Sequence, residues 1–458
     1  MYLINAIKKF IKNKPTLFTT PGHAQGEGIS PEFKRLISKK AFKIDLSELE
    51  GLDNLQNPTG AILKSQQKAS EIYNSKASFY LVNGSTSGIL ALMLATVKSN
   101  EKVLIARNVH KSVINALTLS GAMPVWVNTQ WIDEWNIPGP VSPEEIKNCL
   151  SNIPDIKAIW ITSPTYQGVV SDVATISKLC KERGVVLIVD EAHGSLWNFS
   201  EKLPIPAIQL GANASVQSLH KNASSLTQGA ILHLSHTSKI NPEKIQQCLN
   251  IINTTSPSYL ILSSIEASIE YLSSKTGKKK LDNLLENIDK FREKLSEYEN
   301  ISFLENTERY QIDKTKILLA IKDVSGHELS DCLQEKYNIE VEMDNNKSIL
   351  ALTGIGTDKE KLNKLFKAIK NSKKKLKKSE TQDNLPTPLI MPEIIYSPQE
   401  ALHKQSKIVN IKDSIGLVSK ATIVTYPPGI PILTAGEKIQ EEHLKSLGSL
   451  AQIAVIIG

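Results

Sequence analysis

Four cysteines, Cys149, Cys180, Cys248 and Cys332, are scattered through the 458 residues without a single C-x-x-C pair. That spacing argues against a zinc site and against a disulfide framework. No metal is expected, and the thiols fit a reducing cytoplasm. Aromatic residues make up 5% of the chain, too few for a basic, aromatic-interleaved nucleic-acid face. No apolar run approaches the length of a membrane span. The N-terminus MYLINAIKKFIKNKPTLF interleaves lysines with its apolar residues, so it lacks the uninterrupted core of a signal peptide. A G-x-x-x-x-G-K-[ST] nucleotide loop does not occur. The formal charge of +7 is mild, and much of the excess lies in Lys278-Lys279-Lys280 and between Lys373 and Lys378. Such runs read as a solvated helix face or a linker. The expectation is a soluble, cytoplasmic protein with neither a membrane nor a nucleic-acid partner.

What is present is ordinary globular material: 41% hydrophobic and 22% charged residues, in a chain long enough for two or three domains. An amphipathic helical start leads to a Gly/Pro-rich loop around Pro21-Gly22-His23. Short runs rich in β-branched residues, at Val103–Ala106, Pro124–Val127, Ala158–Thr162, Val185–Val189 and Ala230–Leu234, then read as strands. Helical stretches lie between several of them: Ser85–Lys98, Lys111–Ser120, and Val173–Arg183 with Gly184 as its C-cap. This alternation predicts an α/β fold with a mostly parallel central sheet, whose ligands bind at the carboxyl ends of the strands. Residues 260–295 read as strongly helical, and Lys316–Ile321 and Ile349–Leu352 as strands of a smaller α/β unit. The division expected is an N-terminal segment 1–60, a large domain 61–270, a small α/β domain 271–372, a linker 373–385 and a C-terminal α+β module 386–458.

Three features carry chemistry. The first is the strand-like VVLIVD ending in Asp190, followed by Glu191-Ala192-His193-Gly194. Taken alone, an Asp there is a turn or cap residue. The second is Ser218-Leu219-His220-Lys221, whose lysine in isolation could be a surface residue. The third is Asn83-Gly84-Ser85-Thr86-Ser87-Gly88, which opens an apolar helix. Its hydroxyls and free backbone N–H groups could make a phosphate site or a plain N-cap. Together they supply what pyridoxal 5′-phosphate (PLP) needs: an amine for its aldehyde, a carboxylate for its ring nitrogen and an anion site for its phosphate.

The ordered series GSTSG, RNVHKS, SPTYQG, DEAHG, SLHK and TTSPSY, then YPPGIP followed by Ala435-Gly436-Glu437, closely resembles the Orn/Lys/Arg decarboxylases. The compact size resembles their shorter branch, without an N-terminal receiver-like domain. The resemblance implies PLP fold type I, the aspartate-aminotransferase-like fold. It implies decarboxylation of lysine, arginine or ornithine to a di- or polyamine precursor and CO2. Lys221 would form the Schiff base, and Asp190 would pair with the pyridinium nitrogen. Ala192 and His110 would flank the ring, and Ser85, Thr86, Ser218 and His220 would hold the phosphate. His193 or Lys221 would return the proton to Cα, and Ser163 and Tyr166 would lie near the cofactor's hydroxyl edge. The segment Thr254–Tyr259 resembles one that reaches a neighbouring subunit's site, which implies a homodimer or higher oligomer.

Three positions depart from the family pattern: Ala24 after Pro-Gly-His, Gln56 in place of a histidine, and Leu196 in the Ser-Leu that follows DEAHG. They keep a catalytically impaired paralogue open, beside another fold-type-I reaction such as that of an aminotransferase or aldolase.

Overall fold

A computed structural model describes residues 1–372, 390–425, 429–447 and 450–457. The expected linker 373–385 and Tyr426-Pro427-Pro428 of the YPPGIP motif lie outside the described residues. Among those described, no helix is long and apolar enough to cross a membrane.

The centre is a seven-stranded sheet in the order Ala77–Leu81, Ala230–Leu234, Ala214–Gln217, Val186–Asp190, Ile156–Thr162, Lys102–Ala106 and Met123–Val127. Its last five strands are mutually parallel. Ala230–Leu234 runs antiparallel to both of its neighbours. The strand sequences are apolar at consecutive positions rather than at alternate ones, as a sheet covered on both faces requires. VLIA, AIWI and LIV are accordingly fully buried within one continuous core. The parallel strands are joined by helices with readable ends. Val173–Arg183 starts at Asp172, whose carboxylate accepts from the Thr175 amide, and stops at Gly184 in the left-handed region. Lys111–Ser120 stops in the same way at Gly121.

The helical stretch expected over 260–295 is two helices, Tyr259–Ser273 and Lys275–Ser296, and Ser274 caps the second. Tyr2–Lys12 packs beside the first of them. Its N-terminus has no cap of its own, and the buried Glu266 carboxylate instead accepts from the amides of Leu3 and Ile4, each at 2.9 Å. A carboxylate there satisfies orphan donors and meets the positive end of the helix dipole.

A smaller antiparallel sheet follows, in the order Ile301–Phe303, Lys316–Ile321, Ile349–Leu352 and Met343–Asp344. It is joined to the large sheet's connections by the short pairing of Gln311–Ile312 with Val169–Val170. The C-terminal residues form two antiparallel pairs, Ser406–Asn410 with Gln452–Ile456 and Ile423–Thr425 with Ile430–Leu433. Their small core contains Leu433, Ile439, Leu447, Ile453 and Val455.

Candidate active site

Four neighbouring parallel strands end on one side of the sheet, and the segments that leave those ends line a cavity of about 400 Å³. Thr162 ends Ile156–Thr162 and is paired in register with Asp190, which ends Val186–Asp190. Asn108 and His110 follow Lys102–Ala106, while His220 and Lys221 follow Ala214–Gln217. The crevice therefore lies where a parallel sheet places its ligands.

Lys221 Nζ sits 2.7 Å from His193 Nε2. Burial pushes the lysine down to about 8, the nearby Asp190 carboxylate pulls against that shift, and Lys316 adds to it. His193 is held well below the usual histidine range, first by burial and then by Lys221, Lys316, His110 and His220. A neutral His193 accepts from Lys221 at Nε2, which leaves its proton on Nδ1. Tyr166 packs edge-on against this imidazole, with ring centres 4.5 Å apart. Asp190 is buried; desolvation raises its carboxyl above the ordinary range, while Lys221 and the Ala192 amide, 3.1 Å from Oδ1, draw it back.

Glu191, one residue on, belongs to the scaffold. Its carboxylate accepts from the Ala207 amide and from Gln217 Nε2, both at 2.7 Å. Ala192 faces the cavity between these two acids and His193.

His110 caps the helix Lys111–Ser120. Its Nδ1 lies 2.8 Å from Ser112 Oγ and accepts from the Ser112 amide. Burial, then Lys221 and Lys111, push it down to about 4, so an uncharged imidazole lines the cavity. The helix Gly84–Thr96 packs against Lys111–Ser120 and begins with no side-chain cap. Gly88 lets that helix lie close on the sheet, since a Cβ there would come within 2.7 Å of Leu81. Ser85 lines the cavity and accepts from Ser218 Oγ at 3.0 Å. His220 also lines it, with its Nδ1 on the Gly229 carbonyl at 3.1 Å. Thr86 is half-buried in the same helical turn but is not part of the lining.

Most of the expected residues thus converge on the cavity, but Thr86, Ser163 and Ser218 are not part of its lining; Ser218 is buried behind Ser85. Ser163 is fully buried beneath the site, where its Oγ accepts from the Ser171 amide; Thr162, Thr165 and Tyr166 line the cavity instead. Three residues of the lining, Asn108, Thr162 and His193, each carry a buried polar atom with no protein partner (Oδ1, Oγ1 and Nδ1). Buried polar groups need partners, so the cavity is built for a polar guest. An uncapped helix N-terminus, an amine of lowered pKa and a carboxylate around that space fit the phosphate, aldehyde and ring nitrogen of PLP.

The three departures lie elsewhere. Ala24 follows His23 in a turn where the histidine meets Asp45 at 3.1 Å. The Gln56 carbonyl accepts from Gln246 and Asn250. Leu196 is buried in the hydrophobic core. None of the three lines the cavity.

Other contributors come from far along the chain. Glu342, on the small sheet's side, lines the mouth and accepts from the Tyr166 hydroxyl. Lys316, fully buried, reaches from the small sheet to the His193 carbonyl, to Asp313 Oδ2 at 2.7 Å and to Asn222 Oδ1 at 3.4 Å. Burial alone would raise Asp313. The charge of Lys316 and hydrogen bonds from Lys316, Thr315 and Trp197 nevertheless hold it below the usual carboxylate range. Removing one partner strands the other in a dry interior. Lys316→Met should therefore cost roughly 3–5 kcal/mol of stability, and the double change with Asp313→Asn should recover most of it. Urea unfolding of the three proteins measures both, and a single variant as stable as the parent would refute the coupling.

The description "Orn/Lys/Arg decarboxylase, major domain" matches residues 2–365, and the C-terminal domain of the same family matches 374–454. An arginine decarboxylase of Bacillus subtilis (strain 168) is 31% identical over 452 residues, covering 96% of this chain and 92% of that protein. The lysine decarboxylase of Francisella novicida superposes with a TM-score of 0.87 at 20% identity, over 100% of this chain and 81% of that one. An alanine–glyoxylate aminotransferase from Nostoc sp. superposes with a TM-score of 0.54 at 15% identity, over 69% of this chain and 88% of that one. The fold is the aspartate-aminotransferase-like fold type I. Both family descriptions match in chain order and together span nearly the whole sequence, so the chain belongs to the Orn/Lys/Arg decarboxylase family.

Proposed function

We propose that this chain decarboxylates a basic L-amino acid (lysine, arginine or ornithine) with PLP, releasing CO2 and the corresponding amine. The observation that carries the proposal is the convergence of Lys221, its partner His193 and the buried Asp190 on one cavity at the ends of the parallel strands. Bound there, PLP supplies the electron sink that receives the bonding pair as the α-carboxylate leaves.

The remaining work is done by side chains. Lys221 holds the aldehyde carbon, and Asp190 keeps the ring nitrogen protonated, because an opposite charge nearby favours the charged form. His110 and Ala192 flank the ring. Ser85, Thr86, Ser218, His220 and the first amides of the helix Gly84–Thr96 hold the phosphate, which in turn favours the protonated form of His220. Lys221 or His193 delivers the proton to Cα after CO2 has left. At the mouth, Glu342 offers a carboxylate to the distal cation of the substrate, which supports a basic amino acid. The exposed Thr254-Thr255-Ser256 lies outside this chain's own cavity; we assign it to the site of a neighbouring subunit in a homodimer or larger assembly.

The test is a product assay on PLP-loaded protein with lysine, arginine and ornithine in separate reactions. One dominant amine (cadaverine, agmatine or putrescine) with released CO2 is the expected result. A keto acid in place of CO2 would move the protein to transamination, and bound PLP with no turnover would make it an impaired paralogue. With the substrate known, Glu342→Gln should raise KM about tenfold and change kcat less, as expected when a charge-assisted contact to the non-reacting end is weakened. An unchanged KM would remove Glu342 from substrate recognition.

A further inference from the structure

The C-terminal module touches the cavity at a point that the chemistry above leaves unexplained. Arg107 is the first residue after the strand Lys102–Ala106 and lies three residues before His110. Its guanidinium is 1% exposed and meets the equally buried Glu437 of the module in a two-pronged contact, at 2.6 and 2.9 Å. Nη2 also donates to the Ile432 carbonyl at 3.1 Å, and Nη1 lies 3.4 Å from Thr434 Oγ1. Glu437 is fixed in turn by the Thr434 amide at 2.6 Å. The face of Trp126 lies 4.6 Å from the guanidinium carbon, which leaves little freedom for the fork to turn.

The other end of the same loop is held by the module as well. The Lys111 amide donates to the Gly429 carbonyl at 3.0 Å. Gly429 has φ +84, and a Cβ on it would stand 3.2 Å from His110 Cδ2 and 3.3 Å from Nε2. Its bare Cα therefore backs directly onto the edge of the imidazole, where no larger residue fits without strain. Ile430, the next residue, is part of the cavity wall. Residues 107–111 are thus gripped at both ends by a module more than 300 positions away in sequence.

We propose that Arg107 and Glu437, together with Gly429, are positioning residues for His110: the C-terminal module sets the imidazole against the cofactor's ring. None of the three reaches the reacting atoms. They act through the backbone of the loop, and a charge-paired fork fixes its register more tightly than a single hydrogen bond does. The inference rests on the assignment of His110 to the ring face.

A double-mutant cycle tests it on the full chain. Glu437→Gln, His110→Ala and the combination are prepared free of cofactor, and the apparent dissociation constant for PLP is measured by absorbance titration. Circular dichroism of the bound cofactor reports its tilt independently of turnover. Glu437→Gln is expected to weaken PLP binding about tenfold and to change the cofactor's dichroic band, with no further loss once His110 is absent. Should Glu437→Gln fail to fold, Arg107→Gln/Glu437→Gln, which removes both charges, takes its place. Val455→Ala, a cavity in the module's own core, is the control for simple loosening and should lower the melting temperature without moving the dichroic band. Effects of Glu437→Gln and His110→Ala that multiply independently would overturn the positioning role. Parental PLP affinity in His110→Ala would instead remove His110 from the ring face, and the inference would fall with that assignment.

Discussion

Lys221→Ala is expected to abolish amine release and to lose covalent attachment of PLP, while the protein stays folded. The side chain is reached by its own helical turn Leu219–Asn222 at the end of a central strand, so truncation removes the amine without opening the core. Burial lowers Lys221 to about 8. Roughly a tenth of the amine is then neutral at pH 7, against roughly three parts in ten thousand for an ordinary lysine. The neutral amine attacks an aldehyde, so attachment of PLP to cofactor-free protein should accelerate as pH rises through about 8 and level off above it. Lys316 is the obvious substitute nucleophile but cannot serve: its Nζ is buried, paired with Asp313 and donated to the His193 carbonyl. Borohydride reduction of the PLP-treated protein, followed by peptide mass mapping, tests the point. A PLP adduct on Lys221 in the parent and none in the variant is the expected pair of results. Normal turnover by Lys221→Ala would end the assignment.

How much of this is legible in the sequence depends on the range of the interaction. Asp190 and Lys221 are readable because an acid, an amine and a phosphate-binding loop occur together in one chain, and His193 and His220 because DEAHG and SLHK resemble the family's motifs. The helix end at Gly184 is readable because a glycine after a helical run has a local signature of its own. Ser163 shows the limit of local reading. It occupies the motif at the end of a central strand, yet the backbone turns it inward to accept from the Ser171 amide, and its neighbours face the cavity. Lys316 opens the apolar run KILLAI, where a charged residue reads as an exposed strand start. Its burial follows from a carboxylate three residues earlier and a carbonyl more than a hundred residues earlier, and no periodicity encodes such a meeting. Arg107 and Glu437 were visible as parts of motifs, but their pairing across 330 positions has no sequence signal in a single chain. The strand Ala77–Leu81 lacks the signal that marks the others, because ASFYL contains no β-branched residue. It forms by pairing with Ala230–Leu234, a long-range partner.

Asp190→Ala should retain PLP yet lose most of its turnover, by about a hundred- to a thousandfold, because the charge that favours a protonated ring nitrogen is gone. Retention is expected because Lys221 and the groups proposed to hold the phosphate lie on other segments: Ser85 at the helix Gly84–Thr96, and Ser218 and His220 after the strand Ala214–Gln217. A second readout separates this electrostatic role from packing. The Asp190 carboxylate favours the ammonium form of Lys221. Its removal should lower the lysine's pKa further and move the pH profile of PLP attachment to lower pH. Asp190→Asn preserves the volume and a hydrogen-bonding group but not the charge, so it should follow Asp190→Ala in both rate and profile. If Asp190→Asn kept the parental rate, shape at this position would matter and charge would not, and the ring nitrogen would need another partner. If the rate fell but the attachment profile stayed at about 8, Asp190 would act on the cofactor without setting the state of Lys221. A joint fall and shift is the result expected from one buried carboxylate that serves both partners from the end of a single strand.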